Sequence, residues 1–98
     1  MTHVEMVTRV EEQRAVQTCL ARQYRVLLHD DDVHDMGFVA SCVSSVFALP
    51  WSDAWAVMME AHCTGVGLCC IEAREKAEGH RDRLHSLGLT ATVEPDVR

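Results

Sequence analysis

The chain has 98 residues, a formal net charge of −6, 48% hydrophobic residues and 24% charged residues, which predicts one soluble globular domain. Its acids and bases are evenly spread, and the lack of a basic stripe argues against nucleic-acid binding. No apolar run approaches the ~20 residues of a membrane-spanning helix, and the N-terminal segment resembles neither a signal peptide nor a transit peptide.

The first half of the chain predicts an N-terminal arm, a strand, a loop and a helix. Residues 1–22 mix charges with isolated valines, which fits either a loose helix or a flexible arm. The apolar run at 24–28 predicts a strand, and the acidic cluster at 29–35 predicts a loop. Apolar residues at helical spacing then predict a helix over 36–48, with Asp35 as its N-cap.

The second half predicts two helices and two strands. Pro50 ends the first helix, and we expect Ser52 to cap a second helix that stops at Gly65. Strands are predicted at 68–71 and 89–94, and a third helix is predicted between them, at about 74–87. The order β-α-α-β-α-β over residues 23–98 predicts an α+β fold, a small three-stranded antiparallel sheet covered by three helices.

Two segments carry candidate chemistry. The loop from His29 to Asp35 holds four acids and two imidazoles, so it is a solvated loop, a site for an organic cation, or a metal site. His62 lies near the end of a mostly apolar helix and has either a structural or a binding role.

The five cysteines are odd in number and show no Cys-x-x-Cys spacing, so reduced thiols in the core are expected rather than disulfides. Neither a nucleotide-binding glycine loop nor a catalytic signature is present, so we expect no enzyme activity, no cofactor and no bound metal.

Three blocks of the sequence resemble the ClpS family of Clp protease adaptors. The block at 24–32 (YRVLLHDDD) is similar to the family's opening strand and its Asn-Asp-Asp loop. Met36 with Phe38-Val39 is similar to the start of the first helix, and the block at 58–65 (MMEAHCTG) is similar to the second helix. The resemblance runs from about residue 24 to residue 95 and is strongest to cyanobacterial and plastid members.

The resemblance implies an adaptor that binds N-terminal degrons, which are free α-amino groups followed by a bulky first side chain such as Leu, Phe, Tyr or Trp. By position, Asp30, Asp31 and His62 would hold the amine, and His34 would contact the second residue. The implied pocket for the first side chain consists of Met36, Val39, Met58, Ala61 and Leu89.

This chain departs from the family at three of these positions. Asp30 stands where Asn is usual, which adds a charge beside Asp31. His34 replaces a common Thr. Ala61 stands where a larger β-branched residue is usual, which predicts a wider pocket entrance and weaker discrimination against Ile or Met.

The implied partner is the N-terminal domain of a Clp AAA+ unfoldase, ClpC or ClpA, with which a monomeric adaptor would dock through Glu75 and His80 unless these only form a solvated helix face. The expected compartment is the cytoplasm, or the plastid stroma if a transit peptide has been removed. Two alternatives stay open. One is a metal-binding protein or small metallohydrolase that uses the loop at 29–35, and the other is an unfoldase regulator with a disabled pocket.

Overall fold

Three strands and three helices make up residues 22–97, the part of the chain that this computed structural model describes. The predicted arm at 1–22 lies outside the described residues except for Arg22. The elements are β1 (Gln23–His29), α1 (Met36–Phe47), α2 (Trp51–Thr64), β2 (Val66–Ala73), α3 (Arg74–Ser86) and β3 (Ala91–Pro95). The predicted order and the α+β class are confirmed.

The strands form an antiparallel sheet in the order β2-β1-β3, so β1 is central and pairs on both edges. Val26 and Leu28 are fully buried because alternate residues of a strand face the same side. The register of β1 and β2 shifts between Val26 and Leu27, where Cys69 is an extra residue of β2. This irregularity is a β-bulge. Cys70 therefore pairs directly with Val26 and shares its side of the sheet.

The helices supply the rest of a small-residue core. α1 contributes its buried valines, whereas α2 and α3 contribute mainly Ala, Met and Leu, in agreement with the shortage of aromatic residues. The buried hydrophobic residues are Val26, Leu28, Val39, Ala40, Cys42, Val43, Val46, Ala54, Met58, Ala61, Cys69, Ala77, Leu84, Leu89 and Ala91.

Two of the three predicted helix caps are confirmed. Asp35 caps α1, where its carboxylate accepts a hydrogen bond from the Phe38 N–H, and Gly65 ends α2 with φ 95°. The prediction that Ser52 caps α2 was wrong. Pro50 occupies that position, and its carbonyl accepts from the N–H groups of Asp53 and Ala54, so the helix begins one residue before Ser52.

The last two strands differ from prediction at their ends. β2 extends beyond 68–71 in both directions, and Gly67 allows it to pass close to α2, since a Cβ there would lie 2.4 Å from the Val57 carbonyl oxygen. β3 begins at Ala91 rather than Leu89, because the Leu89 N–H donates to the Leu84 carbonyl at the end of α3.

Candidate functional site

The acidic loop after β1 is anchored at its first residues. The His29 N–H donates to the Thr90 carbonyl at 3.0 Å, and the Asp30 N–H donates to the Gly65 carbonyl at 3.0 Å. The second bond ties the start of the loop to the residue that ends α2. The loop and the helix that carries His62 are thereby held side by side.

Asp31 organises the loop from within. Its Oδ1 accepts from the N–H groups of Val33 (2.8 Å) and His34 (2.9 Å), and its Oδ2 lies 2.6 Å from the His34 Nδ1. Partial burial tends to raise the pKa of the Asp31 carboxyl, but the hydrogen bonds from His34 and Val33 outweigh it and lower that pKa. Both oxygens are engaged, and the side chain is only 12% exposed.

His34 is fixed on three sides. Besides its bond to Asp31, its ring stacks on Phe38 with 5.2 Å between centroids. Gly88, at φ 88°, passes so close that a Cβ there would lie 3.3 Å from the His34 Nε2. The imidazole is therefore a wall of the site that the surrounding residues hold in one orientation.

Asp30 and His62 are the most exposed polar residues of the site, and the Asp30 Oδ1 accepts from the Asp31 N–H at 2.9 Å. The Asp30 Oδ1 and the His62 Nδ1 are 3.6 Å apart, beyond a direct hydrogen bond, and the two side chains are 37% and 48% exposed. One comes from the loop and the other from the last turn of α2. The gap between them suits a small hydrogen-bonding group such as an ammonium, which offers three N–H donors.

An open cavity of about 250 Å³ lies beneath this pair. This volume includes space open to solvent, and the apolar part of its lining suits a single side chain. Four of the five residues predicted from the resemblance line it, namely Met36, Val39, Met58 and Ala61. His34, Asp30, Asp31 and His62 line it as well.

Leu89 is the exception, since it is not among the residues that line the cavity. The prediction missed Leu28, which lines it instead. Leu28 is fully buried two residues before Asp30, and the period-two alternation of β1 was the signal that could have identified it.

The predicted docking residues lie elsewhere, on α3. Glu75 is exposed in the first turn of this helix. His80 is partly buried, its Nδ1 forms a hydrogen bond with Glu72, and its ring meets Phe47 with centroids 4.8 Å apart. Neither residue lines the cavity.

The loop donors do not converge on a metal site. His29 directs its Nε2 to the Thr92 hydroxyl at 2.8 Å, and His34 is bonded to Asp31. Within residues 22–97, three side chains do bring potential metal-ligand atoms close together, but this group lies away from the loop. None of the described helices is long and apolar enough to cross a membrane.

Comparison with known proteins gives a consistent result. Residues 20–92 match the family model described as ATP-dependent Clp protease adaptor protein ClpS. The chain is 45% identical to the ClpS adapter of Synechococcus sp. strain CC9902 over 76% of this chain and 72% of that protein. It is 36% identical to the ClpS adapter of Gloeobacter violaceus over 93% of this chain and 99% of that protein.

A solved structure also matches. Agrobacterium tumefaciens ClpS2 bound to L-phenylalaninamide superimposes with a TM-score of 0.74 at 30% identity. The match covers 76% of this chain and 98% of that chain.

Proposed function

The chain belongs to the ClpS family of Clp protease adaptors, and from this premise we propose that it binds proteins by a free N-terminal residue and delivers them to a Clp AAA+ unfoldase. The observation that carries the proposal is the placement of Asp30 and His62 over an apolar cavity. Bond cleavage would belong to the protease, since the relatives are named as adapters.

The polar half of the site would hold the α-amino group. This group has a pKa of about 7.7–8.0 and is mostly cationic at neutral pH. The Asp30 carboxylate would accept one N–H, and the His62 imidazole would accept another in its neutral form. Each charge-assisted bond contributes about 1.5–3 kcal/mol. Asp31 would act chiefly by fixing the loop, because its own oxygens already accept bonds from Val33 and His34.

The apolar half would hold the first side chain. Burying a Leu or Phe side chain against Leu28, Val39 and Met58 contributes roughly 1.5–3 kcal/mol. L-phenylalaninamide, which the similar Agrobacterium protein binds, has this chemistry, a free amine beside an apolar ring and an amide where a chain would continue. Neither half suffices alone after the cost of immobilisation, so acetylation or a small first residue should abolish binding.

Delivery would use the surfaces outside the cavity. We propose that a monomer docks on the N-terminal domain of ClpC or ClpA through the α3 region that holds Glu75 and His80. The segment at 1–22 would engage the unfoldase during handover, and its deletion should spare peptide binding. The proposed compartment is the cytoplasm, or the plastid stroma for a protein that has lost a transit peptide.

Fluorescence anisotropy with labelled peptides tests the proposal. The peptides would differ only at the first residue (Leu, Phe, Tyr, Trp, Ile, Met, Ala and acetylated Leu). We expect binding only with bulky apolar first residues and a free amine, and a loss of about tenfold or more in Asp30→Ala and in His62→Ala. Asp32→Ala is the matched control, because Asp32 is an exposed acid of the same loop that does not line the cavity.

Two results would overturn the proposal. If none of the peptides binds, the chain is not a degron adaptor, and the alternative of an unfoldase regulator with a disabled pocket replaces it. If Asp32→Ala weakens binding as much as Asp30→Ala does, the loop acts only through its summed charge and not through the placement of Asp30.

A further inference from the structure

A second cluster of polar side chains lies between β2 and α3, away from the degron site. Cys70, Glu72 and His80 place a thiol, a carboxylate oxygen and an imidazole nitrogen all within 4.8 Å of one another. All three residues are partly buried. Among residues 22–97, these three side chains are the group of potential metal ligands whose donor atoms lie this close together.

The backbone explains why these three residues meet. Cys70 and Glu72 pair with Val26 and Tyr24 of β1, so both lie on the side of the sheet where Val26 is buried in the core. On α3, His80 follows the buried Ala77 by three residues and precedes the buried Leu84 by four, which is the spacing of one helix face.

These three residues, here called the triad, therefore occupy core-facing positions of β2 and α3, where apolar side chains are expected. Strand and helix each direct their core-facing side toward the other, and both carry polar groups at the point where they meet. Natural sequences break a local rule of this kind mostly at functional sites. Phe47 covers the imidazole from α1 and limits its access to water.

We propose that Cys70, Glu72 and His80 form a binding site for Zn²⁺. A thiolate, an imidazole and a carboxylate are the donors that zinc takes, whereas Mg²⁺ and Ca²⁺ take oxygen donors. Three protein ligands leave the fourth tetrahedral position for water or for a side chain of a docked partner.

The distances require only a small adjustment. Donor atoms around a tetrahedral zinc ion are about 3.3–3.6 Å apart, as follows from bond lengths near 2.0–2.3 Å. Glu72 and His80 now share a hydrogen bond, so the ion would enter between them and separate their donor atoms to this spacing. The Cys70 thiol, also hydrogen-bonded to Glu72, would approach from the adjacent strand position.

Zinc binding would release a proton. Burial, reinforced by the neighbouring Glu72, raises the pKa of the Cys70 thiol, so the metal-free group keeps its proton at neutral pH. On binding, a Zn–S bond replaces the S–H bond and the proton passes to solvent. The divalent ion then compensates the thiolate and the Glu72 carboxylate together.

The test is a titration of chelator-treated full-length protein with CoCl₂, followed by displacement with ZnCl₂. We expect one Co²⁺ per chain, with the near-ultraviolet charge-transfer absorption of a cobalt–thiolate bond, and loss of that absorption when Zn²⁺ is added. Cys70→Ser should abolish the absorption, and His80→Gln should weaken cobalt affinity by about tenfold or more.

Control variants separate this site from the other donors of the chain. A Cys19→Ser/Cys63→Ser double variant removes thiols outside the triad, and His34→Gln removes an imidazole of the acidic loop. Both should bind Co²⁺ like the native protein. Circular dichroism on each variant checks the fold, and peptide anisotropy on Cys70→Ser and His80→Gln checks the degron site, so failure of the zinc site does not mimic failure of the proposed function.

The zinc proposal would be overturned by the absence of a thiolate absorption in the native protein, by its persistence in Cys70→Ser, or by its loss in the double control. Cobalt binding that depends on His34 would instead place the metal in the loop. If both Cys70→Ser and His80→Gln keep native folding and native metal affinity, the triad is only a hydrogen-bonded contact between β2 and α3.

Discussion

Replacing Asp31 by Ala should destabilise the protein more than any other single loop substitution. The Asp31 carboxylate accepts from two backbone N–H groups and bonds to the His34 ring. At about 1 kcal/mol net for each bond, Asp31→Ala should lower the free energy of unfolding by about 2–3 kcal/mol. In a domain of this size, this corresponds to a fall in Tm of about 8–24 °C. Urea and thermal unfolding followed by circular dichroism would measure both quantities.

Asp32→Ala is the matched control, because Asp32 is exposed and the substitution removes the same charge from the same loop. We expect it to stay within about 0.5 kcal/mol of the native protein. Equal stabilities of Asp31→Ala and Asp32→Ala would refute the argument, because the loop would then hold its shape without the Asp31 carboxylate.

The effect of Asp31 should also depend on pH in a defined direction. Its pKa is lower in the folded protein than in the unfolded chain, so the unfolded chain takes up the proton first as pH falls. The stabilisation is complete above the ordinary Asp pKa of about 3.9 and is lost as pH falls through the lower folded value. The stability difference between the native protein and Asp31→Ala should therefore narrow below about pH 4. A difference that stays constant on acidification would contradict this assignment.

Two further substitutions probe the packing of β2 against α2 and the entrance of the cavity. Gly67→Ala should destabilise the protein by about 1–3 kcal/mol in urea unfolding, because its Cβ would lie 2.4 Å from the Val57 carbonyl oxygen and force β2 away from α2. Gly79→Ala is its control, since no atom lies within 4 Å of a Cβ there and a helix interior should gain about 0.5–1 kcal/mol. Ala61→Val should sharpen the rejection of Ile-starting peptides in anisotropy, and equal or stricter rejection by the native protein would disprove the wide-entrance interpretation.

Local signals were sufficient to predict most of the fold. Asp35 and Gly65 mark helix ends through their own side chain or backbone freedom, so a short window of sequence identifies them. The Ser52 cap failed because Pro50 competes for the same role and sets the chain direction two residues earlier. The length of β2 depends on its fit against α2 at Gly67, which is a tertiary contact and leaves no local pattern.

The candidate site likewise combines features that the local sequence predicts with features that depend on tertiary contacts. Residue types and spacing identified the acidic loop and His62 as separate weak candidates, and only the resemblance to a family joined them. The structure brings the two segments together through the Asp30–Gly65 backbone bond. Cys70, Glu72 and His80 were missed as a group because their proximity depends on the β-bulge and on the rotation of α3. Neither feature can be derived from the spacing of these residues along the chain.

His80 has two proposed roles, and one substitution separates them. The resemblance implies a docking residue, whereas the structure places the imidazole beside Glu72 and Cys70. His80→Lys keeps a nitrogen donor for docking, but a protonated ammonium has no lone pair for a metal. Cobalt affinity should therefore fall about tenfold or more, while calorimetry with the unfoldase N-terminal domain shows unchanged or tighter docking.

Glu75→Gln should give the opposite pattern, with weaker docking and native cobalt affinity, because Glu75 is exposed and outside the triad. Loss of docking in His80→Lys with retained cobalt binding would contradict both roles together. Loss of both properties would mean that the imidazole itself contacts the unfoldase. In that case the docked partner and the metal would compete for the same nitrogen, and added Zn²⁺ should weaken docking of the native protein.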